Sequence, residues 1–415
     1  MTRDMIQLSP RGGATYQLLS LIVTLLPLYG AGFIASALHQ LPSHPLDALI
    51  EISDIERFSG RAFQLTILSG FVSAGTMMAG AGLSVRRVLW LRRLWTALVV
   101  VLVALSPFDL DAALDLAAAL ALLLPLAASL SEQEGRASAY LRVWQVGLLL
   151  IIVSLVAAHL LEGRALAAVR GFQIQVVYPI AGLSVMFWLM RRYSRVEEEW
   201  AAAGLRIVAL LVFLAGSLIS LGRLGLPTAL SLGAAPLIPL CFIILAGHSY
   251  RALSSRNENA SLAPHWIALA TLFWLVGGGF FGALSSQPAI GEAMRGTDLA
   301  QAQDWLARWV LIAIVLAFVN EGASSLRGDN RRVTGYVPLW LVAFGTALAS
   351  VVQAGRGVAQ IYLREVATVE AAAMSELLLP LTVVWIICLF AVAAGIVTYA
   401  LGFWLRRPRI RVIDA

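Results

Sequence analysis

Residues Gly296–Leu326 read GTDLAQAQDWLARWVLIAIVLAFVNEGASSL. From Trp309 to Asn320 the stretch is almost wholly apolar, and with its flanks it is long enough to cross ~30 Å of hydrocarbon as a helix. Its first two turns nevertheless carry Gln303, Asp304 and Arg308. Ionisable groups at membrane depth are costly, face protein rather than lipid, and raise a functional question by default. The stretch thus points to a polytopic helical membrane protein and poses the question of what its polar end holds.

The remainder of the chain agrees. Its 415 residues are 60% hydrophobic and 13% charged, and mean hydropathy is +0.82; a soluble domain carries about a quarter charged residues. Apolar runs of about 20 residues recur, whereas the alternating ~10-residue segments of a transmembrane barrel do not. The pattern predicts an all-α bundle of twelve spans, near 16–38, 62–83, 90–106, 110–131, 141–161, 172–190, 203–222, 228–250, 265–286, 302–324, 336–362 and 377–404, in one integral-membrane domain covering 1–415. Arg3, Arg11 and Ala35-Ser36-Ala37 flank the first run like a signal peptide, but Leu18–Leu38 exceeds a signal core and reads as an uncleaved helix. Small residues at helical spacing, Gly70/Ala74 and Gly75/Ala79, suit close helix packing. No internal repeat suggests an inverted-repeat transporter.

All 30 basic residues are arginine, and the net charge of +6 follows topology rather than nucleic-acid binding. With the N-terminus placed in the cytoplasm, 21 arginines fall inside and 9 outside. This bias predicts both termini inside and an even number of spans; the expected site is a bacterial or archaeal cytoplasmic membrane. The acidic loop 39–61, with Asp47, Glu51, Asp54 and Glu56, then lies outside.

Chemistry-bearing residues are sparse. His39, His44, His159, His248 and His265 all sit near span ends or in loops, so no span carries a histidine in its middle. A buried haem or copper needs several imidazoles converging at one depth. Cys241 and Cys388 lie far apart in apolar helices and read as core residues. Met77, Met78, Met186 and Met190 read as packing. No Ser/His/Asp set and no phosphate-binding glycine loop is present, so no catalytic residue is assigned.

Several segments nevertheless resemble, in order, the catalytic subunit I of haem-copper oxidases, nearest to the C-type oxidase and nitric oxide reductase branches. FSGRAFQLTILSGFVSAG (Phe58–Gly75) is similar to that family's helix 2, where a histidine ligates the low-spin haem. AGSLISLGRLGLPTALSLGAA (Ala215–Ala235) resembles its copper-binding His-His segment, GTDLAQAQDWLA (Gly296–Ala307) its His-x-His segment that ligates both haems, and VPLWLVAFGTALASVVQAG (Val337–Gly355) its helix 11. The resemblance spans about residues 15–365. It implies a subunit I-like bundle whose ligands are lost: the vacated positions fall near Gln64, Thr66, Phe172, Gln173, Leu218, Ile219, Gln303 and Trp305.

The candidate buried polar residues are therefore Asp304, Arg308, Gln353 and Arg356. Asp304 and Arg308, one turn apart, are expected to pair with each other, or Asp304 with an arginine of a neighbouring helix such as Arg356. Gln353, Arg356 and Gln360 form a stripe whose arginine is expected to snorkel to headgroups. Glu321 is expected to meet Arg327, Arg331 or water. The leading expectation is a cofactor-free structural or assembly subunit of a respiratory electron-transfer complex, its partners the bilayer and other membrane subunits. The alternatives are an active haem-copper oxygen or nitric oxide reductase, with haem and copper on unrecognised ligands, and a transporter or channel using the vacated cavity.

Overall fold

The structure is a computed structural model, which describes residues 5–8, 10–41, 51–79, 84–108, 110–131, 138–224, 229–256, 261–327, 333–405 and 409–412. Among them twelve helices or helix runs are long and apolar enough to cross a membrane. The chain is an all-α integral membrane protein whose flanks meet lipid. Large apolar side chains such as Leu120, Val146, Ile243, Phe344 and Ile387 stand on its surface, where in water they would be a liability.

The first five spans are α1 (Pro10–Leu38), α2 (Ile52–Ala79), α3 (Val85–Leu105), α4 (Asp111–Ser131) and α5 (Ala139–Leu160). The sixth combines α6 (Gly163–Phe172), a π-helical turn Gln173–Val177 and α7 (Tyr178–Tyr193). Then come α8 (Glu198–Arg223) and α9 (Ala229–Ser254). The ninth span joins α10 (Ala263–Trp274), a second π-helical stretch Leu275–Phe281 and α11 (Gly282–Ser286). The short α12 (Pro288–Met294) leads into α13 (Asp298–Arg327), α14 (Tyr336–Glu365) and α15 (Ala371–Leu405). Met5–Leu8 (β1) pairs in parallel with Arg409–Val412 (β2), which holds the two ends of the chain together at one end of the bundle. An even number of crossings places both ends on the same side.

Helix α13 occupies the centre. It packs on α1, α2, α7, α10 and α14, and Trp309–Val319 is buried without interruption. This is why the central stretch can be apolar all round instead of showing one apolar stripe. The small residues of α2 permit its close approach: a Cβ on Gly70 would meet Val315 of α13 at 2.6 Å, and one on Gly75 would run into the Trp144 indole of α5.

Two departures from the predicted spans have local causes. Helix α2 begins at Ile52 rather than at 62, because its polar first turns are helical too, with Arg57 Nη2 2.6 Å from Asp54 Oδ1. Residues 80–83, predicted to end that span, lie outside the described residues, as does His44. The sixth span is widened at Gln173–Val177, where Tyr178 N–H donates to the Gln173 carbonyl. Pro179 follows at the start of α7, and its missing N–H and its ring disfavour a regular ladder there. The other π-helical stretch contains Gly277-Gly278-Gly279, a run of weak helix formers.

Candidate functional site

The polar end of α13 opens onto a cavity of about 390 Å³, bounded by α1, α2, α14 and α15 at the end of the bundle away from the chain termini. Asp304, Trp305 and Arg308 line it from α13, with Glu56 and Ser59 opposite on α2. Its walls are aromatic: Phe33 meets Trp305 edge-on at 5.3 Å, and Trp305 meets Trp309 at 5.6 Å. Tyr29 lies about 14 Å below the end of α1, counting 1.5 Å per residue, and packs on Phe63 at 5.5 Å.

Arg308 is half-buried, its guanidinium 5.5 Å from the Phe63 ring and beside Tyr29. The Tyr29 hydroxyl is buried and meets no partner at hydrogen-bonding geometry. Gln353 is buried in the same wall; its Nε2 donates to Gln301 Oε1 at 3.3 Å, while its own Oε1 accepts nothing. Asp304 is exposed rather than buried, because the cavity mouth reaches it. The interior orientation expected for this end of the helix holds for Arg308 and Trp305.

Arg356 departs from expectation. It does not snorkel: its side chain is 9% exposed, and Nη2 lies 3.0 Å from Asp298 Oδ2, itself 8% exposed. Gln360 Nε2 donates to the same oxygen at 2.8 Å, and Asp298 N–H donates to Gln360 Oε1 at 2.8 Å. Arg356 also reaches Gln40 at 3.3 Å and lies over the Trp385 ring. The carboxylate at the start of α13 that holds Arg356 is thus Asp298.

A second cavity, about 70 Å³, lies across α13 from the first. Both π-helical stretches reach it, through Ile174 and Gln175 on one side and Gly277 and Gly278 on the other. Ile219 and Gln303 line it as well, so two of the positions that the resemblance names, from helices far apart in sequence, converge there. The others disperse. Trp305 faces the larger cavity, and Leu218 lies toward Gly233 of α9. Phe172 packs on Phe213, Gln173 donates to Ser154 Oγ at 3.2 Å, and Thr66 Oγ1 donates to its own helix at Ala62. Gln64 joins a cluster that sequence reasoning missed.

That cluster centres on Arg61, 6% exposed, whose Nη1 donates to Asp115 Oδ1 and Gln64 Oε1, both at 2.6 Å. Its Nη2 lies 3.2 Å from Asp111 Oδ1. Asp111 and Asp115 share a face of α4 at i,i+4 spacing, the only hint available before the fold was known. At the opposite end Glu321 accepts from Arg192 Nε at 3.1 Å and from Ser261 Oγ at 2.8 Å, while Arg331 and the Arg327 side chain lie outside the described residues. Helix α7, which packs on α13, supplies this partner.

Neither of these two cavities offers the ligands of a haem-copper centre, and a third, of about 610 Å³ between α4, α5 and α6, carries the single imidazole of His159 beside Asp111 and Asp115. The smaller of the two presents two side-chain amides, Gln175 and Gln303, and the buried Cys241 thiol, whose nearest acceptor is the Val208 carbonyl at 3.9 Å. Imidazoles, which such a centre requires, reach neither of the two. His248 is held between Trp200, at 3.7 Å, and Phe187, and His265 packs edge-on to Tyr336. Among the described residues no three His, Cys, Asp or Glu side chains gather as a metal site. No protein-family model matches the chain, and no curated protein matches it.

Proposed function

We propose that this chain is a haem- and copper-free counterpart of haem-copper oxidase subunit I, serving as a structural or assembly subunit in a respiratory membrane complex. The observation that carries the reading is the convergence of Ile219 and Gln303 on one side of α13 and the placing of Trp305 on the other. Positions that the resemblance names from separated segments thereby flank one central helix with side chains that cannot ligate iron or copper axially. The test is affinity purification from its native membrane. The expected result is no Soret band from the chain itself, with redox subunits co-purifying after mild solubilisation. A Soret band with stoichiometric iron in the isolated chain supports the active oxidase instead, and isolation with no redox partner counts against the structural role.

One observation favours a second reading. The cavity of about 390 Å³ is polar, open at one end and walled by Trp305 of α13 and Trp385 of α15, as the outward half of a transport path would be. Substrate-dependent flux in vesicles containing only this chain would establish that reading.

A further inference from the structure

We infer that the outward face of α3, at the end of the bundle that carries the chain termini, binds the headgroup of an anionic phospholipid. The inference stands whether or not the family resemblance does. Helix α3 lies at the edge of the bundle and packs on α1, α2 and α4 through one stripe, Val88, Leu91, Trp95, Val99 and Leu102. The opposite stripe is left open. Arg86, Trp90, Arg93, Ala97 and Val100 are all exposed, and steps of three or four residues put them on one face.

The charges select an anion. Arg92 turns to Gln17 of α1, but Arg86 and Arg93 make no ion pair or side-chain hydrogen bond among the described residues. Helices α1 and α3 contain no carboxylate, and those of α2 and α4 (Asp54, Glu56, Asp111 and Asp115) stand at the other end of the bundle. Asp4, Glu132 and Glu134 lie outside the described residues. The arginines also stand at the N-terminal end of α3, where the helix dipole favours an anion and disfavours further positive charge. An anion from outside the chain answers both.

The rest of the face assigns that anion to a lipid. Arg93 lies about 10 Å beyond Arg86 along the helix axis, on the side that no other helix covers. A guanidinium at that depth reaches back to the headgroups. Helical side chains lean toward the N-terminus, so Arg93 leans toward Arg86. Between them stands the exposed Trp90, at the interfacial level where tryptophan is favoured. Ala97, Val100 and Ala104 continue the same face as an apolar track along which an acyl chain can lie. A soluble anion would use the guanidinium groups and leave Trp90 and the track unused.

The experiment is native mass spectrometry of the full chain released from detergent micelles with phosphatidylglycerol, with phosphatidylcholine of the same acyl chains and inorganic phosphate as comparisons. Phosphatidylglycerol is expected to be retained at lower concentration than phosphatidylcholine, and inorganic phosphate not to displace it. Arg86→Gln and Arg93→Gln should each weaken retention about fivefold, and together about thirtyfold. Arg93→Lys should keep most of the binding and Trp90→Leu should lose part of it. The three side chains are exposed, so the variants keep the fold, which an unchanged melting temperature checks. Arg142→Gln, at an exposed arginine near the same end of α5, should change little, as should Glu132→Gln combined with Glu134→Gln. Equal retention of the two lipids, displacement by inorganic phosphate, or an equal loss in Arg142→Gln would each overturn the proposal. So would a large gain on removing Glu132 and Glu134, which would make them the counter-ions, or indifference to the double arginine variant, which would leave the face to a partner subunit.

Discussion

Arg356 Nη2 and Asp298 Oδ2 lie 3.0 Å apart, on two helices that meet at the end of the bundle away from the termini, with both side chains almost closed off from solvent. Desolvation offsets much of the attraction in such a pair, so its presence adds little net stability, whereas removing one partner strands a buried charge at a cost of about 3–5 kcal/mol. Asp298→Asn should therefore lower the melting temperature in detergent more than Asp298→Asn combined with Arg356→Gln. Equal losses would mean that water reaches the pair.

The pair is held in place by a close approach of backbones. A Cβ on Gly357, one residue beyond Arg356, would run into the Leu299 backbone nitrogen, one residue beyond Asp298. Gly357→Ala must move α14 away from α13, and backbone cannot yield as the tip of a side chain can. A destabilisation of about 1–3 kcal/mol is expected. Gly355→Ala, where an added Cβ meets nothing, serves as the control in the same melting assay.

At the other end, Arg192 and Glu321 are 3.1 Å apart, but Arg192 is 41% exposed. Exposed pairs contribute about 0–1 kcal/mol. Arg192→Gln should thus shift melting far less than Asp298→Asn, and added salt should shrink the difference further. A loss as large as that of Asp298→Asn would show that this end is buried against another subunit.

The spans were legible because twenty apolar residues in a row leave few alternatives to a membrane helix. The polar pairings were not. Asp298 falls just outside the apolar window that begins near 302, so it read as a loop residue although it is the partner of Arg356. Arg61 finds Asp111 and Asp115 only because α4 packs on α2, a relation that hydropathy does not encode. Gln303 and Asp304 were singled out together because they adjoin, yet they face different cavities, since successive residues of a helix point about 100° apart.

The arginine distribution predicts that the end carrying both termini is cytoplasmic. Single cysteines at Asp54 and Asp298, which lie at the other end, should react with an impermeant maleimide from outside intact cells. For Asp298 a permeabilised sample and a denatured control are needed, because the side chain is buried. Labelling of Asp54 only after permeabilisation would invert the topology.

Arg308 and Asp304 rank differently once their surroundings are known. Asp304 opens on the cavity mouth, so Asp304→Asn removes an exposed charge and should cost under about 1 kcal/mol. Arg308 packs its guanidinium 5.5 Å from the Phe63 ring, between α13 and α2. A partly desolvated cation–π contact contributes between about 0.5 and 2 kcal/mol, and the aliphatic stem adds packing that a shorter side chain cannot supply. Arg308→Ala should therefore destabilise the bundle more than Asp304→Asn, and Phe63→Leu should remove part of the difference in a double-mutant cycle. If Asp304→Asn proves the more damaging, the carboxylate is anchoring Arg308 and the two act as the ion pair that their spacing suggests.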